Sequence, residues 1–370
     1  MSTPRITVGL PVYKGADLIA KALDCLQRQT FGNFEAIISV DGNDEKTAAA
    51  CRPFLADPRF RMVVHAERLD WVGNFNWLLR QDIQEIFCYR QHDDTTAPEF
   101  FEVLLQTLDK EPNAAAVYCD CQFSGGSNHV EIASSIEGDP LHRMFEAIEC
   151  YSAAPIRGLI RRAAIRHAGF VRSDEFRAPM EVFVWLAKLL RWGHFRRVAK
   201  PLYYRLDHPQ SFTNMYYRTS EDKKRAVRTT AFTGLLEACM PLCRTPEERL
   251  FFQQAIFDQI VAFPERNKPN SSGKLMAECL ERLRYEGNAH LLTAEEIPPI
   301  LQGLNRRLRC KGNTHLRSQI GRASYRIRRR AQLARYIYPR SQTRRAIYQI
   351  HNLLNLLERV KRRMRSLLSF

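Results

Sequence analysis

The first third of the chain alternates between short apolar runs and stretches with a helical pattern. The apolar runs are Ile6–Tyr13, Ala36–Val40, Arg61–His65, Ile86–Asp94 and Ala115–Cys119. The first is continuously apolar, which is typical of a strand buried on both faces of a parallel sheet. Helical patterns lie between the runs, and the first of them carries one apolar stripe, as surface helices do. Strands alternating with helices predict an α/β fold with a mostly parallel, Rossmann-like sheet and helices on both faces.

The fourth run ends abruptly in two adjacent carboxylates, Asp93 and Asp94. Ligands of open α/β sheets bind at the carboxyl ends of strands, so this pair lies where chemistry is expected. Neighbouring carboxylates repel each other unless a cation lies between them or one is protonated. A divalent metal carrying a nucleotide diphosphate is one solution. A turn that caps the following helix is the structural alternative.

The sequence contains neither of the common glycine-rich phosphate loops. No GxGxxG follows the first run and no GxxxxGK[ST] occurs anywhere. A dinucleotide-binding dehydrogenase or a P-loop enzyme would place phosphate on such a loop. Phosphate must therefore be neutralised in another way, for which a metal on paired Asp side chains is suited. Asp41, after the second run, adds a carboxylate at a neighbouring strand end.

Charge and the C-terminal third indicate an anionic partner. A formal net charge of +16 favours nucleic acid, an anionic membrane surface or phosphate-rich substrates. From about residue 219 the strand signals stop and helical patterns take over. Between residues 344 and 370, apolar residues at helical spacing are interspersed with basic residues, which predicts a basic amphipathic helix at an anionic membrane surface. A helix packed on its own domain or in a coiled coil is the alternative.

Other sequence signals indicate a cytoplasmic protein. No run approaches the roughly 18 apolar residues of a membrane span, and the N-terminus lacks a signal-peptide layout. The basic tail would allow peripheral attachment at the inner face of the membrane. The 10 cysteines are scattered without a CxxC pair, so we expect reduced thiols in place of a zinc site.

From Ile6 to about Ser211 the chain resembles the family 2 glycosyltransferases, which bind nucleotide sugars on a GT-A fold. The motifs that carry the resemblance occur in the family's order: Gly9–Tyr13, Gln29–Phe31, Phe34–Gly42, Asp57–Phe60, Gly73–Asn76, His92–Asp94, Gly158–Arg162 with Gly169, and Glu181–Trp185. The resemblance implies a GT-A domain over residues 1–215. A helical region over 216–303 and the basic amphipathic tail over 304–370 would follow it.

The resemblance also implies a role for each matching residue. The nucleotide sugar would be contacted by Pro11, Tyr13, Asp41, Asn74 and Asp93. Asp94 of the DxD-type motif would bind Mn²⁺ or Mg²⁺ with help from Asp93 and His208, and Glu181 would be the catalytic base. The sequence departs from the family pattern at Val40, where an aspartate is usual, and in lacking an arginine near Asn74. Glu181 itself replaces the usual aspartate.

The predicted function is metal-dependent, inverting transfer of a sugar from a nucleotide diphosphate, with a UDP-sugar as first candidate. The acceptor would be a glycan, lipid-linked or protein hydroxyl, as in polysaccharide or glycoconjugate biosynthesis. Two alternatives stay open. A sugar-phosphate nucleotidyltransferase would carry a glycine-rich basic turn after the first strand, of which Gly9–Gly15 is a poor version. A nucleic-acid-binding protein would use the C-terminal arginines, although no recognisable nucleic-acid module accompanies them.

Glu181 has a structural alternative of its own. It lies in a strongly apolar segment, where a carboxylate is costly unless it faces a cleft or has a partner. A buried salt bridge to Arg161, Arg162 or Arg177 would satisfy it without any role in catalysis.

Overall fold

A computed structural model of the protein describes residues 3–150, 152–172, 181–209, 211, 218–262, 271–285, 287–292 and 296. The chain divides into two compact units between Ala238 and Cys239. The predicted basic tail over 304–370 and the candidate partner Arg177 lie outside the described residues.

The described strands of the first unit form one sheet. They are β1 (Ile6–Val12), β2 (Phe34–Val40), β3 (Phe60–Val64), β4 (Ile86–Tyr89), β5 (Thr95–Thr96), β6 (Ala114–Gly125), β7 (Val130–Glu131), β8 (Leu159–Arg161) and β9 (His194–Asp207). Their order is β3-β2-β1-β4-β8-β6-β9-β5, and β7 pairs with β6.

The first half of this sheet is parallel and brings the strand ends to one edge. In the β1–β2 pairing Val12 lies opposite Val40, so the residues that follow them leave the sheet side by side. In the β1–β4 pairing Gly9 lies opposite Tyr89. The residues that follow Tyr89, including the acidic pair, therefore emerge at the same edge as the end of β1.

The second half of the sheet is mixed. β8 pairs antiparallel with both β4 and β6, and β5 pairs antiparallel with β9, whereas β6 and β9 are parallel. The α/β class predicted from the sequence is confirmed, and the antiparallel pairings are an addition that the pattern did not indicate. β8 is 3 residues long, too short to show a periodicity.

Helices cover both faces of the sheet, as predicted. Up to the boundary between the units they are α1 (Ile19–Gln27), α2 (Glu45–Cys51), α3 (Asp70–Leu79), α4 (Phe100–Lys110), α5 (Pro140–Cys150), α6 (Arg162–Ala168), α7 (Glu181–Trp192) and α8 (Glu221–Cys239). Alternate residues of one strand enter different cores: Ile38 lies in the core with α1 and α4, and Ile37 lies in the core with α3 and α7. Since both faces are buried, nearly every position of such a strand selects an apolar residue.

The described part of the second unit is helical. It contains α9 (Pro246–Ala262) and α10 (Ser271–Tyr285), in the part of the chain where the sequence shows helical patterns. Within the parts of the chain that the structure describes, no helix combines the length and the apolar character that a membrane span requires.

Candidate active site

Tyr13 and Asp41 form the first part of the site, and Arg68 joins them. Asp41 is buried, and its Oδ1 accepts a hydrogen bond from the Leu69 amide at 2.6 Å. Arg68 Nε lies 3.5 Å from Asp41 Oδ2, and the Arg68 guanidinium stacks 3.2 Å from the centre of the Tyr13 ring. The structure thus brings two predicted nucleotide contacts together. It adds a cation, Arg68, that the sequence pattern did not indicate.

Side chains at the start of α2 hold the loop between β1 and α1 in place. The Lys14 amide donates to Asp44 Oδ2 at 2.7 Å, and the Gly15 amide donates to Thr47 Oγ1 at 3.0 Å. Burial acts to raise the pKa of the Asp44 carboxyl. Hydrogen bonds from the Thr47 hydroxyl and amide and from the Lys14 amide outweigh this and hold the pKa below its usual value. The ionised Asp44 therefore holds two loops of the same sheet edge in place.

Gly15 is where this loop meets the acidic segment. A Cβ added at Gly15 would lie 2.5 Å from Val12 Cγ2 and 2.7 Å from His92 Cδ2, closer than real Cβ contacts. His92 directly precedes the acidic pair. The absence of a side chain at Gly15 therefore allows the two loops to pack.

We expect Gly15→Ala to separate these loops and lower the free energy of unfolding by about 1–3 kcal/mol, the usual effect of overpacking. The melting temperature, followed by circular dichroism, should fall by about 2–4 °C per kcal/mol. Gly32→Ala is the matched control, because its added Cβ would meet only Arg59 Nη1 at 3.9 Å. Equal melting temperatures for the two variants would contradict the packing argument.

The two carboxylates of the acidic pair have different environments. Asp94 is only 1% exposed; its Oδ2 accepts from the Tyr203 hydroxyl at 2.8 Å and its Oδ1 from the Leu206 amide at 3.1 Å. Burial and the charge of Asp93 raise the pKa of Asp94. Asp93 is less buried, and its Oδ2 lies 3.0 Å from His208 Nε2. Two predicted metal ligands, Asp93 and His208, are therefore brought together beyond the ends of β4 and β9.

Two arginines lie near the Tyr203 ring, whose hydroxyl binds Asp94. The Arg90 and Arg157 guanidinium groups lie 4.9 and 5.9 Å from the centre of the Tyr203 ring. Burial acts to lower the pKa of Arg90. The nearby groups favour the charged guanidinium, Tyr203 most strongly and Asp94 to a smaller extent, and the net shift of the pKa is upward. The same balance holds for the pKa of Arg157. Asp94 thus belongs to a buried cluster with Tyr203 and two arginines, and the effects of burial and of Asp93 on its pKa exceed that of Arg157.

Glu181 is the first residue of α7 and is 1% exposed. A carboxylate in the first turn of a helix is favoured by the helix dipole. Its Oε2 lies 3.8 Å from Arg172 Nε. Arg161 and Arg162, two of the predicted partners, donate instead to backbone carbonyls of other segments. The structure therefore places Arg172 beside Glu181. The sequence pattern did not indicate Arg172 as a partner.

Asn74 and Pro11 are buried inside the fold at this edge. Asn74 Nδ2 donates to the Ser39 carbonyl at 3.0 Å, and the Ser39 hydroxyl donates to Asn74 Oδ1. Pro11 lies opposite Ser39 in the β1–β2 pairing. The Asn74 bonds fix α3 against the sheet. The predicted contacts of Asn74 and Pro11 with a nucleotide sugar stay predictions.

The donor set at Asp93 and His208 fits an open metal site. Among the described residues, no group of 3 or more His, Cys, Asp or Glu side chains is arranged to hold a metal. Metals that act on nucleotides use one or two protein carboxylates, with the remaining ligands from phosphate and water. Asp93 Oδ2 and His208 Nε2 lie 3.0 Å apart as a hydrogen-bonded pair, so the two donor atoms already face each other and both would bind a metal that takes the place of the shared hydrogen.

Comparisons with known proteins agree with this fold. Residues 7–168 match the model of glycosyl transferase family 2. Over 128 residues the chain is 26% identical to an uncharacterized glycosyltransferase of Rickettsia typhi, covering 34% of this chain and 39% of that protein. Over 151 residues it is 24% identical to the putative glycosyltransferase EpsH of Bacillus subtilis, covering 40% of this chain and 44% of that protein. The chain thus spans less than half the length of these relatives.

A solved structure extends the likeness in fold beyond this segment. S. aureus TarS 1–349 aligns with a TM-score of 0.59 and 14% identity over 84% of this chain and 93% of that one. The fold is that of the GT-A glycosyltransferases. The resemblance predicted from the sequence is confirmed, and the match to the model of glycosyl transferase family 2 lies in residues 7–168.

Proposed function

We propose that the protein transfers a sugar from a nucleotide diphosphate to an acceptor hydroxyl, with a divalent metal and inversion at the anomeric carbon. The observation that carries this proposal is the Asp93–His208 pair at the strand edge that also presents Tyr13 and Asp41. A nucleotide binding along this edge would place its base near Tyr13 and its diphosphate near Asp93.

Tyr13, Asp41 and Arg68 suit the nucleoside. Tyr13 offers a ring face for stacking, and Asp41 offers an acceptor for a ribose hydroxyl or a base N–H. The Arg68 side chain is 43% exposed and occupies the face of Tyr13. We propose that Arg68 shifts towards the bound nucleotide, where it supplies the cation that the missing arginine near Asn74 would have provided.

Asp93 and His208 would hold Mn²⁺ or Mg²⁺. Asp94, which the family resemblance implies as the principal metal ligand, would instead fix the acidic segment through its bonds to Tyr203 and Leu206. When bound, the metal would stabilise the negative charge of the leaving diphosphate. Glu181 would accept the proton of the attacking hydroxyl, a task that a carboxylate within hydrogen-bond reach performs. Inversion follows if Glu181 lies on the sugar face opposite the leaving group.

UDP-sugars are the first donors to test. S. aureus TarS 1–349, with a TM-score of 0.50 and 13% identity, has been crystallised with UDP-GlcNAc. Glycan, lipid-linked and protein hydroxyls are the proposed acceptor classes. Peripheral attachment of a cytoplasmic enzyme through the basic tail is proposed from the charge pattern of residues 344–370.

A thermal-shift screen tests the proposal directly. We expect the nucleoside diphosphate of one particular base, and the nucleotide sugars that contain it, to raise the melting temperature when Mn²⁺ or Mg²⁺ is present. At about 100 times the dissociation constant, a ligand stabilises the native state by about 2.7 kcal/mol, or roughly 5–10 °C here. No shift with any nucleotide and either metal would contradict the proposal. Release of pyrophosphate, with a nucleotide sugar as the other product, would identify a nucleotidyltransferase instead.

A further inference from the structure

We propose that Arg172 is a positioning residue that holds Glu181 ionised and oriented for proton transfer. This inference rests on the proposed function, because it takes Glu181 as the base. It concerns a residue that lies before α7 in the chain and approaches the first turn of that helix.

Side chains of two helices, α3 and α7, hold the backbone that carries Arg172 by hydrogen bonds. Asn76 of α3 exchanges two hydrogen bonds with Val171: its Nδ2 donates to the Val171 carbonyl at 2.7 Å, and its Oδ1 accepts from the Val171 amide at 2.9 Å. Trp185 of α7 donates from Nε1 to the Gly169 carbonyl at 2.8 Å. Because α7 begins at the candidate base, the same helix fixes both that carboxylate and the segment facing it.

The guanidinium of Arg172 is anchored on α8. Its Nη1 donates to Glu237 Oε1 at 2.8 Å and its Nη2 to Thr233 Oγ1 at 3.1 Å. Thr233 and Glu237 lie one turn apart on one face of that helix. With both terminal nitrogens bonded to α8, it is the Nε that approaches Glu181, at 3.8 Å from Oε2.

A cation fixed in this way suits a general base. A carboxylate that is 1% exposed is costly to ionise without a nearby cation. Arg172 Nε lies within ion-pair distance of Glu181, and Thr233 and Glu237 hold the terminal nitrogens. The guanidinium can therefore keep its position while Glu181 takes up a proton. Charges that are already in place before the reaction need no rearrangement during it.

The test compares wild type and Glu181→Gln with four variants: Arg172→Gln, Arg172→Lys, Glu237→Gln and the double variant Arg172→Gln/Glu181→Gln. Turnover is measured as release of nucleoside diphosphate from the nucleotide sugar that gives the largest thermal shift. We expect Arg172→Gln to lower kcat about 10–100-fold, the scale expected for a misplaced catalytic group. Its dissociation constant for the nucleoside diphosphate should stay within about twofold of wild type.

Three results separate positioning from a general structural role. Arg172→Lys keeps the charge and should recover part of kcat, and Glu237→Gln, which alters one anchor, should lower kcat less than Arg172→Gln does. Adding Arg172→Gln to Glu181→Gln should cause no further loss, because residues that act as a unit are not additive. Should Arg172→Gln not fold, the other two single variants decide: wild-type kcat for both would overturn the inference.

The inference and the proposed function fail in different ways. In one outcome, Glu181→Gln is nearly inactive while the double variant Arg172→Gln/Glu181→Gln is slower still, by the same factor that Arg172→Gln alone causes. In that case Arg172 does not act through Glu181, and this inference alone is overturned. If Glu181→Gln retains full turnover, the assignment of the base is overturned as well.

Discussion

Replacing Glu181 by glutamine is expected to lower kcat by about 10²–10⁴, the range of general base catalysis. The amide has the size of the carboxylate but does not take up the proton of the acceptor hydroxyl. Nucleotide and metal binding should be unchanged, since Tyr13, Asp93 and His208 would provide those contacts. The loss should therefore appear in kcat, while the dissociation constant of the nucleoside diphosphate, measured by calorimetry, equals that of wild type.

Glu111→Gln is a matched control for this substitution. Glu111 is ion-paired with His194 and Arg196 at the start of β9, whereas the candidate site lies past the end of that strand, at His208. The control should change stability and leave kcat intact. Full turnover by the Glu181 variant, or equal losses in both variants, would remove Glu181 from the mechanism.

The parallel half of the fold was predictable from the sequence for a physical reason. Strands β1, β2 and β4 are almost fully buried, so their residues stand out as continuous apolar runs. β9 is different, because most of its residues are partly exposed and Lys200 and Pro201 interrupt its pattern. Its pairing with β6 is set by tertiary contacts, which no local pattern reports.

The site was predictable where it depends on strand ends and unpredictable where it depends on distant partners. Asp41 and Asp93 follow strands of the parallel half, and the carboxyl ends of such strands share one edge. The hydroxyl that binds Asp94 comes from 109 residues further along the chain. Arg68 and Arg172 likewise approach their carboxylates from loops, whose course the sequence pattern does not specify.

Asp93→Asn and Asp94→Asn are expected to fail in different ways, although the two residues are adjacent. Asp93→Asn should abolish the Mn²⁺-dependent part of nucleotide binding, because a neutral amide is a weaker metal ligand than a carboxylate. It should leave the melting temperature of the free protein near that of wild type. Asp94→Asn should lower the free energy of unfolding by about 1–3 kcal/mol, because one amide oxygen cannot accept both the Tyr203 hydroxyl and the Leu206 amide and a buried donor is left unpaired.

The two measurements are the melting temperature without ligand and the nucleotide dissociation constant with and without Mn²⁺. Tyr203→Phe is the control for the Asp94 variant, since it removes one hydrogen bond to that carboxylate and keeps its charge. It should cost about 1–3 kcal/mol of stability and preserve the metal dependence. If Asp94→Asn instead melts like wild type and loses the metal dependence, Asp94 is itself a metal ligand, as the family resemblance implies. The pair of measurements therefore distinguishes a buried carboxylate that supports the metal site from one that forms part of it.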